Sequence, residues 1–188
     1  SKVVALVAEV TPDGELNIIG IGTNPVRGLK KGVVVNIEST VQSLQAAINE
    51  AQKVADCSIH SVFVGIAGSH IRSQNSDGIV AIRNGEVSRA DLERVLDAAQ
   101  AVAIPADQKV LHTLAQDYMI DNQEGVREPL GMSGVRLEAR VHVVTCAINA
   151  LQNIEKCVSR CNLAVDDIIL EQLASASAVL TEDEQELG

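Results

Sequence analysis

The sequence has no tryptophan, and Phe63 and Tyr118 are its only aromatic rings outside histidine. Any core must therefore be assembled from Val, Ile, Leu and Ala. Long apolar runs are missing too. None approaches the ~20 residues that a membrane-spanning helix requires, and no signal peptide is visible, because Ser1 leads straight into a strand-like segment. Positive charge is scarce: 15 Lys and Arg stand against 25 Asp and Glu, for a net charge of -10. So acidic a chain is a poor ligand for phosphate backbones, which disfavours nucleic acid as a partner. Its nearest basic cluster, Arg27, Lys30 and Lys31, reads as a solvated turn. The four cysteines, Cys57, Cys146, Cys157 and Cys161, are too sparse for a disulfide scaffold and read as reduced cytosolic thiols. Neither a Walker loop nor G-x-G-x-x-G occurs.

What is present is enough for a core: 46% hydrophobic and 21% charged residues in 188 describe a folded chain of one domain or two small ones. Residues 3–10 read as a buried strand, Pro12-Asp13-Gly14 as a turn, and residues 16–21 as the return strand of a hairpin. A third strand is expected over 31–35. Val41, Leu44, Ile48, Ala51 and Ala55 then recur at helical spacing, with Ser39 and Gln42 as a capping box, so a helix should end near Asp56. Residues 59–67 return to strand, closed by Gly68. The first third thus reads β-β-β-α-β.

The middle third begins a new unit. Residues 71–82 predict a strand pair or bent strand, with Ser76-Asp77-Gly78 as turn or bulge. Ser88 and Asp91 cap a helix whose stripe is Leu92, Val95, Leu96, Ala99 and Val102, with Pro105 as terminator. Residues 109–120 read as a strand, although adjacent Val110 and Leu111 spoil its alternation. Residues 122–134 read as loop. Residues 135–146 alternate, with Val135, Leu137, Ala139, Val141 and Val143 on one face. This gives β-α-β-β. The last third supplies a helix through Ile148, Leu151, Ile154, Val158 and Cys161, a strand over 165–170, a short helix over 173–180, and a charged linker over 181–188. With no opening Met and an abrupt strand at residue 3, both ends are expected to be those of a piece of a longer protein.

Candidate chemistry is thin. His142, Cys146, Cys157 and Cys161 could be drawn as a zinc site, but His142 and Cys146 lie about 13 Å apart along a strand, too far for one tetrahedral ion. The cysteines read instead as small buried hydrophobes. Cys57 and His60 lack an orienting third group or oxyanion hole. His70 and His112 read as satisfied structural histidines. Asp166, Asp167 and Glu171 read as polar residues flanking a strand, and Gly65-Ile66-Ala67-Gly68 as a bend between subdomains rather than a phosphate loop. No catalytic constellation emerges from the residues.

Five separated segments carry a family resemblance: 27–38 (RGLKKGVVVNIE), 121–125 (DNQEG), 129–135 (PLGMSGV), 142–146 (HVVTC) and 180–188 (LTEDEQELG). In order along the chain, they resemble segments of the bacterial cell-division family FtsA. The resemblance implies an α/β fold: a partial actin-like, ribonuclease-H-type subdomain 1A over 1–68 and 146–188, with an inserted strand-helix-strand-strand subdomain 1C over 69–145. In that family ATP with magnesium sits between two actin-like halves. Ser1 and Lys2 resemble the tail of the first phosphate loop, and the second loop would begin beyond Gly188, so this chain is expected neither to bind nucleotide tightly nor to be an enzyme. The resemblance further implies an adaptor that tethers FtsZ filaments to the inner membrane at the division site. FtsZ would bind through a subdomain absent here, and membrane contact would run through a carboxy-terminal helix also absent. FtsN, other division proteins and self-association would use subdomain 1C. A domain of another actin-like adaptor, such as a pilus-assembly protein, is the alternative.

Overall fold

In a computed structural model, which describes residues 2–101 and 104–187, the chain leaves one contact unit after His70 and returns to it at Ile148. The residues between, Ile71–Ala147, form a second unit with its own core.

The first unit opens with β1 (Lys2–Val10) and β2 (Leu16–Pro25), an antiparallel pair. The expected third strand is instead a small hairpin, β3 (Leu29–Lys30) and β4 (Val33–Val34). It turns at Lys31 and Gly32, whose φ values of 51° and 80° reverse the chain within the segment read as one strand. Next comes α1 (Ile37–Ala55), which begins earlier than the Ser39 cap predicts. Asn36 is extended, and its Oδ1 accepts from Ser39 N at 2.8 Å, so Ser39 is the capped residue and not the cap. Aromatic bulk is unnecessary here because helix and sheet approach closely. A Cβ on Gly22 of β2 would lie 1.9 Å from the Ala47 carbonyl oxygen of α1.

Beyond α1, β5 (Ser61–Ile66) pairs in parallel with β10 (Ala164–Leu170), and α3 (Ile148–Ser159) is the crossover that leads into β10. Ile48, Val158, Cys161 and Leu163 form the centre of this unit's core, joined by Ala5 of β1 and by Val62 and Val64 of β5. Thus β1 and β5 share a core, although no ladder joins their two sheets among the described residues. After β10 follow α4 (Glu171–Val179) and α5 (Glu182–Leu187). The expected charged linker is therefore helical. Thr181 Oγ1 accepts from Glu184 N at 3.3 Å while Glu184 Oε2 accepts from Thr181 N at 2.9 Å, a reciprocal cap at the helix start.

The second unit is a four-stranded antiparallel sheet, ordered β6-β9-β7-β8, with α2 on one face: β6 (Ile71–Ala81), α2 (Arg89–Gln100), β7 (Gln108–Ile120), β8 (Gln123–Val126) and β9 (Arg136–Ala147). Of the two readings of 71–82, a strand pair or a bent strand, the structure shows a single strand, in unbroken register with β9 from Ile71↔Cys146 to Ala81↔Arg136. Gly78 marks a close approach and not a turn, since a Cβ there would sit 2.1 Å from the Val95 carbonyl oxygen of α2. The helix stops at Gln100, ahead of Pro105, and Val102 of its predicted stripe lies outside the described residues. Register shifts between Val110 and His112 and between Ala115 and Asp117 account for the broken alternation of β7. The loop over 122–134 contains β8, which pairs with Tyr118 and Ile120. Leu137, Ala139, Val141 and Val143 are buried under α2 as expected, but Val135 precedes the strand and is 73% exposed.

Candidate interaction surface

The period-2 alternation that sends Leu137, Ala139, Val141 and Val143 into the core sends Glu138, Arg140 and His142 of β9 to the other face of the sheet. Ladder register then decides their neighbours. Arg140 lies opposite Asp77 of β6 on one side and Asp117 of β7 on the other. Its Nε is 3.9 Å from Asp77 Oδ1 and its Nη1 is 3.5 Å from Asp117 Oδ2. His142 falls opposite Asn75, whose Oδ1 is 2.6 Å from Nδ1 of the ring. Glu138 falls between Ile79 and Met119, and its Oε1 is 2.8 Å from Arg136 Nη2. A shallow depression on this unit is lined by Asp77, Asp117, Tyr118, Glu124, Glu138 and Arg140, among others, and carries an excess of carboxylates. Burial raises the pKa of the Tyr118 phenol. Beside this face, β6 is a sheet edge eleven residues long, with Ile79 57% exposed.

These groups can offer a partner ion pairs, hydrogen bonds and strand addition at an edge. Sequence reasoning did not single out Asp77, Asp117 or Arg140. They lie on three strands and meet only through register, although the polar phase of β9 was a usable signal.

His142 apart, the residues that the sequence singles out lie elsewhere. Cys146 is buried, which pushes its thiol up to about 11 and keeps it protonated at neutral pH. Cys157 is buried, Cys161 lies in the first unit's core, and both thiols are raised in the same way by burial. No group of three or more potential metal-ligating side chains occurs among the described residues. Cys57 is exposed just after α1, and His60 is exposed as well. Asp166, Asp167 and Glu171 are exposed, with Asp167 Oδ1 accepting from Ile168 N at 2.8 Å. His70 departs from the satisfied histidine expected. It is buried, yet neither ring nitrogen has a hydrogen-bond partner among the described residues, and desolvation lowers its pKa. Ser1 lies outside the described residues. Lys2 is exposed at the first position of β1.

Residues 68–145 match the family described as the SHS2 domain inserted in FTSA. Over all 188 residues the chain is 81% identical to the cell division protein FtsA of Pseudomonas aeruginosa, 55% identical to that of Neisseria meningitidis serogroup B and 49% identical to that of Escherichia coli K12. It spans 45% of the length of each of these relatives. Among solved structures, a chain of a PilM-PilN type IV pilus biogenesis complex superposes with a TM-score of 0.64 at 12% identity. That superposition covers 94% of this chain and 46% of the other, and it speaks to the fold alone.

Proposed function

From the premise that this chain belongs to the FtsA family, as a partial actin-like subdomain carrying an inserted SHS2-type unit, we propose that it is the partner-binding part of a cell-division adaptor. The observation that carries this reading is the second unit itself. It has a complete core under α2, and it spends its other resources on a charged sheet face and a long edge strand. In this reading unit Ile71–Ala147 is the 1C subdomain, bounded near 69–145, and the remainder, 1–68 and 146–188, is 1A. The contiguous match over 68–145 supports those bounds.

The surface around Arg140 would serve contacts with FtsN, with other division proteins and with further copies of the chain. FtsZ and the membrane, on the cytoplasmic side of the inner membrane at the division site, would be engaged by parts of the longer protein outside this chain. ATP and magnesium belong to the longer protein in the same way, with Ser1 and Lys2 as the tail of one phosphate contact, and this chain acts by binding and not by catalysis. No helix among the described residues is long and apolar enough to cross a membrane.

Mixing the chain with the cytosolic tail of FtsN and, separately, with the carboxy-terminal peptide of FtsZ tests the assignment. Binding to FtsN that weakens in Arg140→Asp is the expected result. Binding to the FtsZ peptide but not to FtsN would reject it. The pilus-adaptor reading shares the fold, but identities of 49–81% to FtsA proteins against 12% to the pilus complex favour the division adaptor. A saturable, magnesium-dependent heat on titrating ATP into this chain would instead favour a nucleotide-binding domain.

A further inference from the structure

Asn84 is the only asparagine of the chain that is followed by glycine. Both residues are exposed, in the bend between β6 and α2. Gly85 holds φ +72°, and a Cβ built on it would meet nothing within 4 Å, so the residue that follows Asn84 is uncrowded on that side. The Gly85 carbonyl is tied down, accepting from Gly134 N at 3.1 Å, while its N–H donates to no backbone group among those described. An asparagine amide, a side-chain-free successor and a backbone nitrogen outside any ladder are what intramolecular imide formation requires.

We propose that Asn84–Gly85 is a self-modifying site, at which the chain loses ammonia and takes up water. The Gly85 amide nitrogen gives its proton to solvent base and bonds to Cγ of Asn84. The Cγ–Nδ2 bond breaks, and Nδ2 leaves as ammonia with a proton from solvent. Water then opens the five-membered imide at either carbonyl, leaving an aspartyl or an isoaspartyl residue at position 84. No oxidant, reductant or enzyme enters the balance.

Asn75, followed by Ser76, is an internal contrast. It lies inside the β6–β9 ladder opposite His142, with its Oδ1 held 2.6 Å from the ring nitrogen, so its side chain and the next nitrogen are not free to close a ring. The outcome at position 84 is not neutral. It adds a negative charge beside Glu86. In the isoaspartyl form it also adds a backbone carbon between two anchors, Ile82 N to Val135 O at 2.8 Å and Val87 N to Met132 O at 2.9 Å. Those bonds fasten the β6–α2 connection to the segment entering β9, so the aged chain would present an altered loop at that end of the sheet.

The test is incubation of the folded chain in heavy-oxygen water at neutral and mildly alkaline pH, followed by digestion and mass spectrometry. Heavy oxygen labels only what forms during the incubation. The expected result is a labelled acidic product at position 84, accumulating several-fold faster than at Asn75 and faster at the higher pH, and resolving into two chromatographic forms. Asn84→Gln should abolish it with an unchanged circular dichroism spectrum. Labelling at Asn84 no faster than at Asn75, or many-fold slower in the folded chain than in the urea-unfolded one, would overturn the proposal.

Discussion

Asp91 shows how much one side chain can organise. Its Oδ2 accepts from both Oγ and N of Ser88, at 2.6 and 3.0 Å, while Ser88 Oγ accepts from Asp91 N at 3.2 Å, and its other oxygen is paired with Arg94. The Ser88 hydrogen bonds, and then Arg94, hold its carboxyl at about 2, below the ordinary 3.8. A carboxylate whose pKa is lower in the folded than in the unfolded chain contributes stability that is complete above 3.8 and fades as pH falls through about 2. Asp91→Asn should therefore flatten the acid limb of a urea-midpoint profile over that window. Ser88→Ala should cost about 0.5–2 kcal/mol at neutral pH, read from the same unfolding curves. His70 acts in the other direction on the pH scale. Its burial favours the neutral ring, so stability holds above 6.5 and declines as pH drops below that value towards the lowered folded pKa. His70→Phe removes two unpartnered polar atoms and should weaken that decline. A midpoint that still falls as steeply between neutral and mildly acidic pH would assign the effect to another group.

At the scale of elements, the glycines that mattered were those that let a helix approach a strand. Gly78→Ala pushes a methyl group into the backbone of α2 and should destabilise the second unit by about 1–3 kcal/mol, measured by denaturant unfolding. In sequence Ser76-Asp77-Gly78 reads as a turn or bulge because it has the composition of one, and composition does not reveal what lies across from a strand. The same gap explains the other differences. The period of α1, α2, α3 and β9 was legible because a buried face imposes it on every turn or alternate residue. Caps were legible where both halves of the motif were polar and local, as at Ser88 and Asp91, and were misplaced where Asn36 stood closer to the first helical residue than Ser39. Bulges such as those in β7 are defined by the partner strand, so a broken alternation signals them without locating them. The Asp77–Arg140–Asp117 row was hidden for the same reason, since register is a property of three strands together.

For the whole molecule, two separate cores mean that damage should stay where it is made. Leu137 is fully buried in the second unit, and Leu137→Ala should cost about 2–5 kcal/mol there. Hydrogen exchange should quicken across β6, α2, β7 and β9 while the amides of α1 and β2 keep their protection, and equal loss in both units would show that they unfold as one. The ladder between β6 and β9 carries a further consequence. Its first rung, Ile71↔Cys146, places the entrance and exit of the second unit on neighbouring strands, roughly 5 Å apart by the ordinary spacing of an antiparallel pair. To the chain on either side, the whole excursion closes like the loop of a hairpin. Its closure entropy is met inside the unit by its own ladder, so the length and sequence of what lies between could change without asking His70 and Ile148 to move. A surface mounted in this way can be respecified for new partners while the scaffold that carries it is left as it was.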